Sequence, residues 1–400
     1  MRCGSGFSPT GLVPSRDNRV GLNADPQHMA QTVGLNADPQ GAEMKKLRVG
    51  VIGAGLIGRR HIATLLASRD AELCAVADTL PRDDPAIATL PVPVFSSHLD
   101  LLGRAKPDAV IVATPNRLHV PIGVDCARAG VHMIVEKPIA DTVADACVLL
   151  REAKRAGVVL LVGHHRRHHA QAQQARQIVA DGELGRVAGA TLLWATRKPD
   201  AYFDTAWRRT AGGGPVLINL IHEVDMLRFL VGELASVLGR TSRAIRAFEV
   251  EDSAAAVLTF ANGALGTILA SDVAASPWTI EQGLGESPSF PWSGENSYRI
   301  VGTAGALEFP VLRVWRYRDP ASGDWNQPIA STPLKSFDRD PYVEQVRHLR
   351  AAIEGREAPI ASGADGARTL AATLAIATSS ARGAPVELAR DHEAIDAASL

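Results

Sequence analysis

The stretch Lys46–His61, KLRVGVIGAGLIGRRH, limits what this chain can fold into more than any other. Leu47–Ile52 is a short apolar run rich in β-branched residues, which reads as a buried strand. Gly53-Ala54-Gly55-Leu56-Ile57-Gly58 follows, and a helical pattern begins at once. Strand, GxGxxG and helix in that order are what a dinucleotide site needs. Gly53 permits the tight turn, and Gly55 has no side chain to hold off a pyrophosphate. Gly58 lets the helix pack closely on the strand, and the helix N-terminus offers free N–H groups to phosphate. The alternative is a glycine turn with no ligand, since 35 glycines make chance matches possible.

A second strand pattern, Ala71–Ala77, ends at Asp78, twenty positions after Gly58. A carboxylate there accepts hydrogen bonds from a ribose 2′-OH and repels a 2′-phosphate. The first arginine after it is Arg82. NAD is therefore favoured over NADP. The plain alternative for Asp78 is a residue that starts a turn before Pro81.

Four hundred residues exceed one ordinary core, so two domains are expected. Lys and Arg total 42 against 43 Asp and Glu, a balance that gives no support for nucleic-acid or membrane partners. Cys3, Cys74, Cys126 and Cys147 are scattered and form no CxxC pair. Neither zinc nor a disulfide framework is indicated, and a reducing cytoplasm fits. No apolar run is long enough to span a membrane.

Residues 1–44 contain VGLNADPQ twice and have no apolar periodicity. They read as a disordered extension with Met44 as the working start. From Leu47 strands and helices alternate, with strands near 47–52, 71–77, 108–113, 131–135 and 158–162. The short loops between them argue a doubly wound parallel sheet. Further on, Ala254–Ala261 and Ala264–Ser271 flank Asn262-Gly263, a strong hairpin signal. Residues 274–296 read as a long loop that could cover a site. The expected fold is α/β. A Rossmann domain over 45–166 precedes an α+β domain over 167–400 with an open, mostly antiparallel sheet.

Thr114-Pro115-Asn116 and Glu136-Lys137-Pro138 fall just after predicted strands, where open α/β sheets bind their ligands. A lone lysine there is ordinarily surface charge. Between Glu136 and Pro138 its backbone is restricted, which narrows the directions its amine can take. Gly212-Gly213-Gly214-Pro215 leads into VLINLIHEVDMLRFL, an apolar helix interrupted by Asn219, His222 and Asp225. Buried polar groups need a partner or a ligand. A lone histidine in such a helix is more often a satisfied core residue, but a nicotinamide site in the same chain favours a catalytic one. The run His164–His169 follows a strand end. On an extended segment its alternate side chains would diverge, and Arg166 and Arg167 would repel a cation, so no metal is expected.

Taken together these residues resemble the Gfo/Idh/MocA oxidoreductases. The matching pieces are GAGLIG at 53–58, Asp78, ATPNRLH at 113–119, VEKPIA at 135–140, GHHRR at 163–167, WRR at 207–209, GGGPVLINLIHEVD at 212–225 and YRIVGTAGALEF at 298–309. The resemblance implies a cis Lys137–Pro138 bond, Lys137 binding the reacting hydroxyl, and His222 taking or giving its proton. It implies that Thr114, Pro115, Asn116, His119, Glu136 and Arg166 lie on the cofactor side. His165, Arg167, Tyr202, Trp207, Arg208 and Asn219 would face substrate. It further implies a homodimer or homotetramer formed through the second sheet. Ile218 stands where many members carry an aspartate, which shifts acid–base work to Lys137 and His222.

The activity expected from this reading is NAD-dependent hydride transfer to or from a secondary alcohol or ketone of a sugar, cyclitol or related polyol. Two rivals share the scaffold. One is a glycosidase that retains NAD and oxidises its substrate transiently. The other is a cofactor sensor without catalysis, which would not need Lys137 and His222.

Overall fold

The first sheet is parallel throughout. Its strands are β1 (Leu47–Ile52), β2 (Ala71–Ala77), β3 (Val94–Phe95), β4 (Ala109–Val112), β5 (His132–Val135) and β6 (Leu160–Val162). They lie in the order β3-β2-β1-β4-β5-β6, so the chain reverses direction across the sheet between β1 and β4. The crevice outside the carboxyl ends at that reversal is where such sheets hold ligands. This computed structural model describes residues 45–81, 83–85, 87–286, 289–319, 323–335 and 339–400. The expected extension 1–44, with Cys3, and Arg82 lie outside the described residues.

β4 and β6 are buried along their whole length, and β5 at every residue but His132. That explains why they read as apolar runs without alternation, since helices cover both faces. Thr142 caps the helix Val143–Ala156 by accepting from the Asp145 N–H, and Gly157 ends it in the left-handed region.

The second sheet has nine strands. They are β7 (Val187–Ala195), β8 (Leu234–Ser242), β9 (Ser253–Phe260), β10 (Leu265–Ser271), β11 (Tyr298–Gly302), β12 (Ala306–Phe309), β13 (Arg313–Tyr317), β14 (Ile329–Pro333) and β15 (Val386–Glu387). Every pairing is antiparallel except β7 with β10. The Asn262-Gly263 hairpin forms as its sequence predicts. Gly263 has φ +87°, Asn262 Oδ1 accepts from the Ala264 N–H at 3.0 Å, and its Nδ2 donates to Val231 O at 2.9 Å.

β9 and β10 alternate buried with exposed residues, so one face packs on the core and the other is open. Helices Ile221–Val231 and Gly363–Arg382 cover the inner face, where Leu227, Leu230, Leu258, Ile268, Ile300 and Ile376 form one core. The end of the chain returns to the first sheet. Val346 and Leu349 of helix Pro341–Ile353 pack with Val49, Val51 and Ile62, and Ile395 joins the cluster holding Val112 and Val135. Among the described residues no helix is long and apolar enough to cross a membrane.

Candidate active site

The turn after β1 is tight at two of its three glycines and open at the third. Gly53 sits at φ +100°, and a Cβ there would meet Ala113 O at 2.5 Å. A Cβ on Gly58 would meet Gly53 O at 1.9 Å, so the helix Leu56–Ala67 approaches the turn as closely as backbone allows. A Cβ on Gly55 would meet nothing within 4 Å, so the turn is open on that side. Asp78, just beyond β2, accepts from the Ala54 N–H at 2.5 Å and the Leu80 N–H at 2.9 Å. Its carboxylate is thereby fixed beside the glycine turn. This cradle fits a dinucleotide with an unphosphorylated ribose.

Two loops continue the crevice. Thr114, Pro115 and Asn116 follow β4, and Glu136-Lys137-Pro138 follows β5 with a cis Lys137–Pro138 bond. The ring nitrogens of His119 lie 2.8 Å from Thr114 O and 2.8 Å from Pro138 O. His119 therefore clamps the two loops together. Glu136 Oε1 lies 2.8 Å from His61 Nε2, and a Cβ on Gly163 would strike the Glu136 carboxyl at 2.7 Å. Burial alone would raise the Glu136 pKa, but the hydrogen bond and charge of His61 hold it at about 2.

Lys137 is partly buried and makes no salt bridge to a carboxylate among the described residues. Its Nζ donates to Ile218 O at 3.3 Å. Burial lowers its pKa to about 8, against the opposing pull of Glu136. Ile218 belongs to a π-turn, Val216–Leu220, that runs directly into the helix Ile221–Val231 carrying His222. His222 is buried, and its Nδ1 has no partner among the described residues. Burial and the charges of Lys137 and Arg166 push its pKa well below the ordinary imidazole value, so it is neutral at pH 7.

The run His164–His169 departs from the extended form expected of it. His165–His168 form a 3-10 turn, because the chain must swing from β6 into the helix Ala170–Ala180. The turn gathers side chains that an extended segment would separate. Nitrogen and oxygen atoms of His165, His169 and Glu286 all lie within 4.8 Å of one another. Arg166 Nη2 sits 3.4 Å from the same Glu286 carboxylate, a fixed positive charge that disfavours a cation. The His165 ring meets His222 edge-on at 5.4 Å and stacks on Tyr342 at 4.6 Å.

The two arginines expected at the ligand are held inside the protein. Arg166 donates to Glu223 at 2.6 Å and to Glu281 at 2.5 Å. Burial raises the Glu223 pKa to about 7, and Tyr298 also donates to it. Arg167 makes a bidentate pair with Asp225, at 2.9 and 2.8 Å, and donates to Ile360 O at 2.7 Å. Tyr202 carries the Arg208 guanidinium 4.0 Å from its ring centre, while Trp207 is half exposed. Asn219 Oδ1 accepts from Lys198 Nζ at 2.8 Å.

Sequence reasoning missed His61, Lys198, Glu281, Glu286 and Tyr342. Each lies far along the chain from the motif it completes, so spacing carries no signal for it. The long loop gave one hint, as Glu281 comes from its short helix Ile280–Leu284, which Thr279 caps.

Two family models match the chain. One, described as an oxidoreductase family with an NAD-binding Rossmann fold, covers residues 47–164, and the GFO/IDH/MocA C-terminal domain covers 172–308. The chain is 29% identical over 356 residues to 1,5-anhydro-D-fructose reductase of Ensifer adhaerens, covering 85% of this chain and 98% of that protein. It is 26% identical over 335 residues to myo-inositol 2-dehydrogenase of Thermotoga maritima, covering 81% and 93%. The WlbA dehydrogenase of Bordetella pertussis, solved with NADH and UDP-GlcNAcA, is similar at TM-score 0.69 and 27% identity, covering 86% and 99%. With its glycine cradle, its Glu136-Lys137-Pro138 loop and its His222 helix, this chain belongs to the Gfo/Idh/MocA family of NAD-binding oxidoreductases.

Proposed function

We propose that this protein moves a hydride between NAD and a secondary alcohol or ketone of a sugar, cyclitol or related polyol. The observation that carries the reading is the pairing of Lys137 with the helix of His222. A partly buried amine of lowered pKa is tied to the turn before a neutral imidazole whose Nδ1 has no partner among the described residues. Bound NAD supplies the hydride acceptor. Gly53, Ala54, Gly55 and Asp78 hold it, with Asn116 and the 136–138 loop beside its reactive end.

Lys137 and His222 share the substrate's reacting oxygen. The hydroxyl proton passes to a neutral nitrogen as hydride leaves the same carbon. Lys137 keeps one N–H on Ile218 O, which turns the lone pair of its neutral amine away from that carbonyl. His222 is neutral already. In the reverse direction the Lys137 ammonium returns the proton to the ketone oxygen. Acid–base groups placed in this way contribute about 10²- to 10⁴-fold. Tyr202, Arg208 and Asn219 face the remaining hydroxyls.

The open face of the second sheet supports assembly of copies of this chain into a homodimer or homotetramer. Val257, Leu265, Leu269 and Val301 are 47–59% exposed there. A cytoplasmic setting belongs to the same reading, and Cys74, Cys126 and Cys147 are free thiols.

The test is NADH formation by purified protein with NAD and a panel of cyclitols, sugars, anhydrosugars and sugar acids. Net accumulation of free NADH supports a dehydrogenase. Glycoside cleavage with NAD retained and no net NADH would overturn it in favour of transient oxidation.

A further inference from the structure

Lys198 lies in the loop after β7, outside every motif that marks the site. Its side chain is 10% exposed. Three contacts fix it in place. Nζ donates to Asn219 Oδ1 at 2.8 Å, lies 3.2 Å from Asp272 Oδ2, and sits 4.8 Å from the Tyr202 ring centre. Asp272 is buried and also paired with Arg246. The backbone N–H of Lys198 donates to Asp272 O at 2.9 Å.

An ammonium can only donate. The Asn219 atom facing Lys198 must therefore be the carbonyl oxygen, and the usual ambiguity of an amide's orientation does not arise here. Nδ2 consequently points away from Lys198. It makes no hydrogen bond to any described residue, and it is not among the enclosed orphan atoms. Asn219 sits between two parts of the acid–base pair. It follows Ile218, whose carbonyl holds Lys137, and precedes His222 by three residues. Ile218 offers no polar side chain on this turn, which leaves Asn219 to recognise substrate there.

We propose that Lys198 is a positioning residue that locks the Asn219 carboxamide with its N–H donors toward a substrate oxygen beside the reacting one. The proposal rests on the function given above and narrows it. The substrate must present an acceptor oxygen next to the reacting carbon, as a vicinal diol, a hydroxyketone or a 2-hydroxy acid does.

The experiment has a spectroscopic and a kinetic arm. In NAD-loaded protein the Asn219 side-chain amide pair is identified by ¹⁵N NMR from its disappearance in Asn219→Leu. Lys198→Met is expected to shift or broaden that pair as the amide becomes free to rotate, and Lys198→Arg to preserve it. An unchanged pair in Lys198→Met overturns the proposal.

The kinetic arm uses the polyol that the wild type oxidises fastest. Lys198→Met is expected to lower kcat/KM at least tenfold, but to cause no further loss in an Asn219→Leu background. Losses that simply add would overturn a role acting through Asn219. Should Lys198→Met fail to fold, Asn219→Asp decides. It keeps the Lys198 contact but replaces donor with acceptor, and a loss under twofold overturns the proposal. A wild type that oxidises nothing on the panel refutes the proposed function instead, and the amide spectrum alone then decides the role of Lys198.

Discussion

The amine of Lys137 donates to the carbonyl of Ile218, four residues before His222 on one continuous run of helix. The carbonyl lies in a π-turn, a local widening often found at functional sites. One contact thus joins the 136–138 loop of the first sheet to the helix covering the second.

With its pKa lowered to about 8, Lys137 changes charge within the working range. His222, pushed well below its ordinary value, does not. Alcohol oxidation needs the neutral amine, so its kcat/KM should rise as pH increases through about 8 and then level off. Ketone reduction, which needs the ammonium, should fall over the same interval. Lys137→Arg should remove the step from both profiles. A flat oxidation profile in the wild type would contradict the assignment.

Gly55→Ala and Gly58→Ala should behave differently. The first adds a methyl group to open space, so the protein should fold normally while its Kd for NAD rises about tenfold, roughly 1.4 kcal/mol. The second drives a Cβ into Gly53 O and should lower the melting temperature as well. Calorimetric NAD titration and thermal unfolding of both variants separate the two outcomes.

Asp78→Ala removes the carboxylate that would repel a 2′-phosphate. The ratio of NADP to NAD turnover should increase at least tenfold. Weaker NAD binding should accompany it, because the Ala54 and Leu80 N–H groups lose their acceptor. Initial rates with both cofactors check this.

Asp225 shares the apolar helix with Asn219 and His222, but it serves the fold. It is buried against Arg167 and accepts from Thr369 Oγ1 at 2.8 Å. Arg167 holds its carboxyl at about 2 although burial alone would raise it. Removing one member of a buried pair costs about 3–5 kcal/mol. Asp225→Ala should lose that much in urea unfolding while the folded protein still binds NAD. The stability the pair contributes is complete above the unfolded aspartate pKa, near 4. It should be lost as pH falls from there toward about 2.

The first half of the chain was legible because its signals are local. A six-residue strand buried over its last four residues, a glycine turn at φ +100° and a carboxylate at the next strand end can each be read within ten residues. Lys137 and His222 were singled out from local motifs in the same way. The partners of Arg166 and Arg167 were not legible, because nothing near them in sequence reveals that Glu223, Glu281 and Asp225 take their charge. The bend at His165–His168 was missed because a polar run of six residues carries no periodicity. Strand β8 and the short edge strand β15 pair with partners far from their own turns, and their composition alone does not place them.

The most direct measurement is NADH production by the wild type, Lys137→Ala and His222→Ala side by side, with NAD affinity determined for each by fluorescence titration. The wild type should turn over at least one polyol, and each variant should lose about 10²-fold or more. NAD binding should change less than threefold. Full turnover by either variant would contradict the assignment of Lys137 and His222 as the acid–base pair.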